Sequence, residues 1–372
     1  MKAKSDLLRL IKAIQPDINL EEPVKELNLF IHTDNPSYQD TQGTLPDFSI
    51  FPDLESLNLG QWLLDDISTL KNIQGLKTLA LRHTQTTDFN PIAELHQLEN
   101  LSISNARSEA LDLSFLKPLK KIKTLIIDNF RINDIGALKD AHQIEYLHIK
   151  NAKNIKDISC LADKTNLRHL DLALNNIRDL TSLAKLVNLK KIRLGFNKYD
   201  DISPLSGLTN LEFLNVVKAY PKLRLEPLIG LKKLTHLDIS DIKLQDIGAL
   251  SEMDGLESLY MNTCTKVQDF DPLAGLIHIT KLDLCRTKIK DLTPISHLRN
   301  LSTLHLDSTR IRDLSLLSSH YKLWKLSLTW TKVKDLAPIA NLTNLKILSI
   351  PKDLDVTPIQ HLIDKGLTIW KT

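Results

Sequence analysis

Three consecutive segments of this chain repeat one 22-residue pattern, and this repetition constrains the fold more than any other feature. The segments begin at Ile279, Leu301 and Leu323, and each approximates LxxLxLxxTxIxDLxPLxxLxx. A period of roughly 20–29 residues with this leucine spacing is typical of a solenoid in which every turn contributes one short strand. Because each turn contacts only its neighbours, a chain of 372 residues can form one continuous array instead of several globular domains.

The same period extends over most of the chain. The predicted strand units begin at Leu54, Leu76, Leu98, Ile122, Ile144, Leu167, Leu189, Leu211, Leu234, Leu256, Ile279, Leu301, Leu323, Leu345 and Leu367. A degenerate unit precedes them at residues 24–29 (VKELNL). We therefore predict an N-terminal helical cap with a degenerate first repeat over residues 1–53, and a solenoid of about 15 repeats over residues 54–372.

The N-terminal segment has the features of a cap. Residues 1–20 predict a short amphipathic helix, with Ser5 as its N-cap and Pro16 at its end. Its apolar face contains Leu7, Leu10, Ile11 and Ile14. A solenoid needs its first hydrophobic layer covered, although a detachable helix for a partner or a membrane surface is the alternative. Residues 31–50 are rich in turn formers and are predicted to form a loop on the cap.

Positions within each unit, counted from its first residue, have distinct predicted roles. The residues at positions 1, 4 and 6 are apolar and point into the core, whereas those between them point outward. Position 9 is often Thr or Asn, whose short polar side chains can satisfy backbone groups where the chain leaves the strand. The members of this row are Thr84, Asn175, Asn197, Thr287, Thr309 and Thr331.

An aspartate follows four residues after position 9 in most units. The row consists of Asp66, Asp88, Asp134, Asp157, Asp179, Asp201, Asp246, Asp269, Asp291, Asp313 and Asp335. Because the next residues often read Leu-x-Pro, each aspartate is predicted to be the N-cap of a short helical segment, with proline in its first turn. The row is therefore structural and not a set of metal or catalytic carboxylates.

These motifs resemble the 22-residue class of leucine-rich repeat proteins, which includes the internalins and the regulatory leucine-rich repeat subunit of protein phosphatase 1. The resemblance covers nearly all of residues 54–367. It implies an α/β solenoid with a curved horseshoe shape. A parallel β-sheet would form the concave face, which usually binds proteins in this family, and short 3₁₀ or helical segments the convex face. The chain lacks a recognisable signal peptide, a wall-sorting tail and a phosphatase-binding pattern, so host adhesion and phosphatase regulation are not inferred.

Composition narrows the possible functions. The 48 Lys and Arg residues nearly balance the 45 Asp and Glu residues, which disfavours an electrostatic nucleic-acid binder. The three cysteines have no motif spacing, which favours a reducing compartment. No secretory signal and no apolar run of about 18 residues is evident, so we expect a cytoplasmic protein without membrane contact, although signal-independent export is not excluded.

The concave face is predicted from the register. Its outward side chains come from positions 3, 5 and 7, with position 8 at the rim, and its aromatic and charged content increases from the unit at Ile144. This mixture is typical of a protein interface with aromatic anchors. The predicted partner-binding residues are Tyr146, His148, Lys150, His169, Asp171, Arg193, Phe196, Phe213, Asn215, His236, Asp238, Tyr260, Asn262, Asp283, His305, Asp307, Lys325 and Trp330.

Two chemical alternatives use residues of the same face. Cys285, His305 and either Asp283 or Asp307 could form a nucleophile, base and orienting group on adjacent strands. An open sheet, however, offers neither a pocket nor free backbone N–H groups for an oxyanion, so the prediction is no catalytic residue. The pairs His148/Asp171 and His236/Asp238 suggest a metal site only weakly, because ligand spacing is absent. No metal and no cofactor are predicted.

The leading hypothesis is a non-enzymatic, cytoplasmic protein-binding module of bacterial type, monomeric by itself. It would act as an inhibitor, an adaptor or an immunity-type protein that blocks a partner's surface. The alternative is an exported bacterial effector or a host-interacting leucine-rich repeat protein.

Overall fold

A computed structural model describes residues 2–32, 34–35, 41–105, 109–219 and 223–372. The chain forms two compact units, Met1–Leu189 and Lys190–Thr372. The described residues of the first unit begin with helix α1 (Lys2–Ile14) and include seven parallel strands of one sheet. These strands are β1 (Glu26–Asn28), β3 (Ser56–Asn58), β5 (Thr78–Thr84), β6 (Asn100–Asn105), β7 (Thr124–Asp128), β8 (Tyr146–Lys150) and β9 (His169–Asp171).

In the described part of the second unit there are nine parallel strands and one short α-helix, α2 (Gln360–Asp364). The strands are β10 (Lys191–Arg193), β11 (Phe213–Asn215), β12 (His236–Asp238), β13 (Ser258–Tyr260), β14 (Lys281–Asp283), β15 (Thr303–His305), β16 (Lys325–Ser327), β17 (Ile347–Ile350) and β18 (Thr368–Lys371). Each unit is thus an array of short parallel strands with one turn of chain between neighbours.

The return segments of the turns contain 3₁₀-helices of three to five residues. In the first unit they span Phe48–Ile50, Ser68–Asn72, Asn90–Glu94, Ser114–Leu116, Gly136–Asp140, Ser159–Leu161 and Thr181–Leu183. In the second they span Ser203–Leu205, Glu226–Leu228, Gly248–Glu252, Asp271–Gly275, Thr293–Ile295, Ser315–Leu317, Ala337–Ile339 and Thr357–Ile359. The predicted combination of parallel strands with short 3₁₀ segments is confirmed, and both units are leucine-rich repeat solenoids.

The core consists of stacked rows of leucine and isoleucine. In the second unit, Leu259 of β13, Leu282 of β14 and Leu304 of β15 occupy matching register positions, and each is at most 1% exposed. Each such side chain contributes about 1.5–3 kcal/mol by leaving water. Because a shift of one residue would turn a whole strand inside out, this row fixes the register between neighbouring turns.

The last predicted strand unit is wrong by one residue. Thr368 pairs with Ile347 at position 3, so the unit begins at Gly366 and not at Leu367. Ile369 then takes the core position 4 and Trp370 takes position 5, where it is 61% exposed. Helix α2 lies in the preceding turn and changes its length, which breaks the 22-residue step on which the prediction depended.

Two details of the N-terminal prediction are also wrong. Helix α1 begins at Lys2, so Ser5 lies inside it and is not its N-cap. Residues 31–50, as far as they lie within the described residues, are not only loop. Gly43–Thr44 forms β2, which pairs with β4 (Leu64–Asp66) in a separate two-stranded sheet. Leu45 and Phe48 are buried, so this segment extends the core beside the first repeats.

The aspartate row makes the backbone contacts predicted for it, one residue earlier than expected. Each of the eleven carboxylates accepts a hydrogen bond of 2.7–3.1 Å from the backbone N–H two residues later. At Asp313, for example, the acceptor precedes the formal N-cap Leu314 and bonds to Ser315, the first residue of the 3₁₀-helix. The position-9 row is confirmed as structural, because Thr287 and Thr309 each donate to a backbone carbonyl at 2.7 Å while buried.

Candidate binding surface

The strand face is defined here as the outward side chains at positions 3, 5 and 7 of each unit, with position 8 at its rim. These side chains alternate with the buried rows, so they emerge from the sheet at regular intervals. Lys150, Arg193, Phe196 and Trp330 are exposed. The half-buried members among the predicted residues are Tyr146, His148, His169, Phe213, Asn215, His236, Asp238, Tyr260, Asn262, Asp283, His305, Asp307 and Lys325.

In the first unit, an imidazole bridges two carboxylates. His148 Nε2 lies 2.7 Å from Asp128 Oδ1, and His148 Nδ1 lies 3.3 Å from Asp171 Oδ2. Burial by itself would lower the pKa of His148, but hydrogen bonds and charge interactions with both carboxylates outweigh it and raise the pKa to about 9. His148 is therefore a cation at neutral pH, and both of its ring nitrogens face carboxylates of the protein itself. Beside it, the rings of Tyr146 and His169 meet edge to face at 5.4 Å.

Two features of this cluster differ from the sequence prediction. Asp171 is buried, because its carboxylate faces His148 and accepts from the N–H of Ala173 at 3.1 Å, so it is not an exposed contact residue. Asp128 was not predicted at all, although it occupies position 7 of its unit, where outward residues were expected. The register marks Asp128 as outward-facing, but the predicted binding face began one unit later, at Ile144.

In the second unit, three side chains from adjacent strands stack along the strand face. The Arg193 guanidinium lies 4.8 Å above the centre of the Phe213 ring, and that ring stacks on His236 at 6.1 Å. A cation over an aromatic face is attracted by about 0.5–1 kcal/mol at an exposed site. These contacts hold the three side chains in defined orientations before any partner arrives.

Hydrogen bonds link the polar side chains beside this stack. Asn215 Nδ2 donates to Asp238 Oδ2 at 2.8 Å, and Asn262 Nδ2 donates to Asp283 Oδ2 at 3.3 Å. Burial raises the pKa of Asp238, and the neighbouring charge of Asp283 adds to this effect. Burial likewise raises the pKa of Tyr260, which lies near both carboxylates. Asp238 and Asp283 thus form an acidic part of the strand face, and the Asn215 and Asn262 amides hold their carboxylates in place.

Gly195 is needed where Asn215 crosses the preceding strand unit. A Cβ at this residue would lie 2.8 Å from Asn215 Oδ1 and 3.2 Å from the carbonyl oxygen of Val217. Because the nearest atom is the end of the Asn215 side chain, any larger residue here would push away the amide that holds Asp238. The glycine at position 7 therefore allows the Asn215 contact.

Farther along the sheet, Asp307 is the centre of another network. It accepts hydrogen bonds from the Ser327 and Thr329 hydroxyls and, at 2.8 Å, from the Thr329 N–H. Burial opposes ionisation, but these donors and the thiol of Cys285 lower the pKa of Asp307. Its charge is thus satisfied within the protein and is only partly available to a ligand.

The rim has an unusual backbone. In twelve units of the described chain the position-8 residue is a non-glycine with φ between 56° and 72°. In eight of them its N–H donates to the carbonyl at position 7 of the next unit, as that of Phe196 does to Val217 at 2.8 Å. An L-residue in this region costs roughly 1–2 kcal/mol, least for Asn or Asp. Phe196 and Trp330 adopt it nonetheless and are 45% and 74% exposed, so two bulky aromatic side chains occupy strained, solvent-facing positions.

The environment of Cys285 is unfavourable for nucleophilic catalysis. Its Sγ donates to Asp307 Oδ2 at 3.2 Å, and within the described residues no hydrogen bond joins it to His305. Burial, reinforced by Asp283 and Asp307, raises the pKa of the thiol far above its ordinary value. Burial also lowers the pKa of His305, whose Nε2 has no hydrogen-bond partner. The three groups lie together as predicted but do not form an activated nucleophile.

The other two cysteines are in inert positions, as predicted. Cys264 is fully buried, its Sγ donates to the Ile239 carbonyl at 3.2 Å, and burial raises the pKa of its thiol to about 12. Cys160 is half-buried, donates to the Ile135 carbonyl at 3.3 Å and has a pKa raised by burial to about 11. Neither thiol is therefore reactive at neutral pH.

In both predicted histidine–aspartate pairs, the side chains make hydrogen bonds or ion pairs within the protein. Both nitrogens of His148 face carboxylates, so no imidazole lone pair is free. His236 Nδ1 contacts the Thr235 hydroxyl at 2.8 Å, and Asp238 is held by Asn215 and Ser240. In the described part of the chain, no three His, Cys, Asp or Glu side chains are arranged to hold an ion. None of the helices described is long and apolar enough to span a bilayer.

The sequence matches the family described as leucine-rich repeats (2 copies) over residues 165–207 and 232–275. No curated protein matches the chain significantly. Among solved structures, an internalin of Listeria monocytogenes, InlF, is 28% identical. The match covers 81% of this chain and 88% of the internalin, with a TM-score of 0.71.

Two further structures share the fold at lower identity. A leucine-rich repeat protein of Leptospira interrogans is 20% identical, with 98% of both chains covered and a TM-score of 0.76. The ectodomain of the Arabidopsis thaliana receptor kinase GASSHO1/SCHENGEN3, in complex with CASPARIAN STRIP INTEGRITY FACTOR 2, is 18% identical. That match has a TM-score of 0.60 and covers 89% of this chain but 42% of the ectodomain.

Proposed function

We propose that this leucine-rich repeat protein, which resembles the internalins, is a non-enzymatic module that binds one protein partner through its strand face. The fold is commonly used for protein–protein interaction. The observation that carries the proposal is the row of ordered aromatic and charged side chains on the strand face of the second unit, from Arg193 and Phe213 to Trp330. Large aromatic side chains and arginine are the types that most often dominate binding energy at interfaces.

Pre-organisation is the proposed mechanism of affinity. Arg193, Phe213 and His236 already contact one another, and the amides of Asn215 and Asn262 hold the neighbouring carboxylates. Immobilising a free side chain on binding costs about 0.5–1.5 kcal/mol, and this cost is smaller where the orientation is already fixed. Trp330 and Phe196 would supply exposed apolar anchors at the rim, at positions where the backbone carries strain.

We also propose a role within the cell. The protein would act as an inhibitor, an adaptor or an immunity-type protein that covers a partner's surface. We place it in the bacterial cytoplasm as a monomer that binds neither nucleic acid nor membrane through this face. The nearly balanced charge of the chain supports this placement.

A second candidate is an exported effector or host-interacting leucine-rich repeat protein. The 28% identity to an internalin over 81% of this chain favours it. Fractionation of the native organism into cytoplasm, envelope and culture medium separates the two, because a protein recovered only from the medium contradicts the cytoplasmic placement.

The experiment is a pull-down from native lysate with three baits. They are the wild type, the triple variant Phe213→Ala, Tyr260→Ala and Trp330→Ala, and the control Leu316→Ala. Leu316 is an apolar side chain, 42% exposed, on the 3₁₀-helix Ser315–Leu317. The proposal expects a protein that the wild type and the control capture and the triple variant loses. Equal capture by all three baits would exclude the strand face of the second unit.

A further inference from the structure

The edge where the parallel strands begin differs between early and late repeats. In the first unit, position 2 alternates in charge, and neighbouring residues pair across the turns. Lys77 lies 2.8 Å from Glu55, and Lys123 lies 2.7 Å from Glu99. These pairs lower the pKa of both glutamates, with the hydrogen bond from lysine as the largest cause. The charges of this part of the edge therefore compensate one another.

The same row loses its charges in the late repeats. Position 2 becomes Thr280, Ser302 and Trp324 in the units that begin at residues 279, 301 and 323. The Thr280 hydroxyl donates to the carbonyl of Glu257 at 3.0 Å, and the Ser302 hydroxyl donates to that of Thr280 at 3.1 Å. The Thr280 and Ser302 hydroxyls therefore bond to the backbone, and larger side chains form the exposed surface beside them.

Those neighbours form one continuous patch. The edge patch is defined by Ile277, Arg299, Tyr321, Lys322, Trp324 and Lys346, all exposed. Ile277, Tyr321 and Trp324 are 51%, 57% and 48% exposed, which is a large apolar exposure within three adjacent turns. Isolated surface aromatics need no explanation, but contiguous ones are typical of interaction sites.

Hydrogen bonds connect the turns that carry the patch residues. Asn300 Nδ2 donates to the Ile277 carbonyl at 3.1 Å, and Lys322 Nζ donates to Asn300 Oδ1 at 2.7 Å. On the other side, Asn344 Nδ2 donates to the Tyr321 carbonyl at 2.7 Å. The N–H of Lys346 donates to the carbonyl of Trp324 at 2.8 Å. The six residues thus lie on consecutive, directly bonded turns.

The patch carries positive charge without compensation. The segments 277–281, 299–303, 321–325 and 343–347 contain five Lys and Arg residues and neither Asp nor Glu. Within the described ranges, none of Arg299, Lys322 and Lys346 forms an ion pair with a carboxylate. An array of unpaired cations around exposed aromatic rings is complementary to an acidic segment with apolar side chains.

We infer that the edge patch is a second binding surface, separate from the strand face, and that it takes an acidic peptide segment of a protein partner. Trp324 and Tyr321 would contact the apolar side chains of the segment, and Arg299, Lys322 and Lys346 its carboxylates. The neighbouring strand face carries Asp283 and Asp307, so a long polyanion lying across both surfaces would meet like charge. A short acidic peptide confined to the edge avoids this repulsion.

The probe is a fluorescein-labelled twelve-residue peptide of Glu and Asp with two Phe residues, titrated with the whole protein by fluorescence anisotropy. Its control replaces the acidic residues with Gln and Asn. The charge variant combines Lys322→Asn with Lys346→Asn. Asn occurs at residues 300 and 344, which occupy the position of Lys322 in the two neighbouring turns. The matched control, Lys290→Asn with Lys334→Asn, removes the same charge from exposed residues outside the patch.

The charge variant is expected to weaken peptide binding by about five- to thirty-fold, whereas the matched control changes it by less than about twofold. Trp324→Ser, which installs the side chain of the preceding repeat at Ser302, is expected to weaken it about tenfold. The strand-face triple variant is expected to bind the peptide normally, so a failure of the strand-face proposal is distinguishable from a failure here.

Three results would overturn the inference. They are no binding of the acidic peptide by the wild type, equal losses in the charge variant and its matched control, and stronger binding of a twelve-nucleotide single-stranded DNA than of the peptide. The last would assign the patch to nucleic acid. Melting temperatures of all variants must match the wild type, which is expected because the substitutions come from equivalent repeat positions or alter exposed side chains.

Discussion

The bridge from His148 to Asp128 and Asp171 contributes to the free energy of unfolding, and this contribution is lost at alkaline pH. The pKa of His148 rises from 6.5 to about 9 on folding, so the folded state holds its proton more tightly than the unfolded state. The stabilisation is complete below about pH 6.5 and disappears as the pH rises through about 9. His148→Gln should therefore destabilise the protein in mildly acidic solution and have little effect near pH 10.

The magnitude follows from the same two values. A difference of 2.5 between 9 and 6.5 corresponds to at most about 3.4 kcal/mol of free energy of unfolding. His148 is only 17% exposed, but its partner Asp128 is 42% exposed, so solvent screens that interaction. We expect a loss of about 1–2 kcal/mol in His148→Gln at pH 6, decreasing toward zero above pH 9.

The assay is urea unfolding of the wild type and His148→Gln at intervals from pH 6 to 10. The difference between their free energies of unfolding at each pH separates the effect of His148 from that of the other titrating groups. Asp128→Asn removes one carboxylate and should give part of the effect. His236→Gln, which removes an imidazole bonded to Thr235 on the same face, is the control for loss of a ring. A difference that does not change with pH, or an NMR titration of His148 near 6.5, would refute the argument.

Three further predictions concern the repeat itself. Leu304→Ala should cost about 2–5 kcal/mol in urea unfolding, because it opens a cavity in the aligned core row, and Asp313→Ala should cost clearly less; the reverse order would show that the aspartate row has another role. His320 is fully buried, burial lowers its pKa, and its Nδ1 has no hydrogen-bond partner, so stability should fall as the pH drops below about 6.5. His320→Leu should stabilise by roughly 1–2 kcal/mol and remove that acid sensitivity, since the Ile295 carbonyl keeps its bond from Leu298, and an unchanged acid limb would contradict this. Iodoacetamide should leave the Cys285 thiol of the folded protein unmodified at pH 7.5; rapid labelling would contradict the raised pKa.

The repeat pattern was enough to predict the strands because each leucine row is read many times. Fourteen of the fifteen predicted unit starts agree with the observed register, and the degenerate unit at Val24 also pairs as expected. The exception at Gly366 shows the limit of this reasoning. The short α-helix before this strand changes the number of residues per turn without changing the local leucine pattern.

The candidate surface was less accessible to sequence reasoning, for three physical reasons. The offset at β18 hid Trp370, which the register now places on the strand face next to Ser349. Asp128, His148 and Asp171 come from three successive repeats, so no single repeat reveals their cluster. The left-handed backbone at position 8 is imposed by the turn and not by residue type, so Phe196 and Trp330 gave no local sign of strain.

The repetition also separates structural from functional residues, because neighbouring turns have the same backbone requirements. At position 9, where the hydroxyl bonds to the backbone, threonine recurs in three consecutive turns as Thr287, Thr309 and Thr331. Where one turn departs from its neighbours without a structural need, as Trp324 and Trp330 do from Ser302 and Ser308, the additional apolar area faces solvent. Exposing such area contributes nothing to folding, and the two binding proposals give these two side chains a partner to contact. Restoring serine at either position therefore tests binding alone, because the preceding turn already folds with that residue.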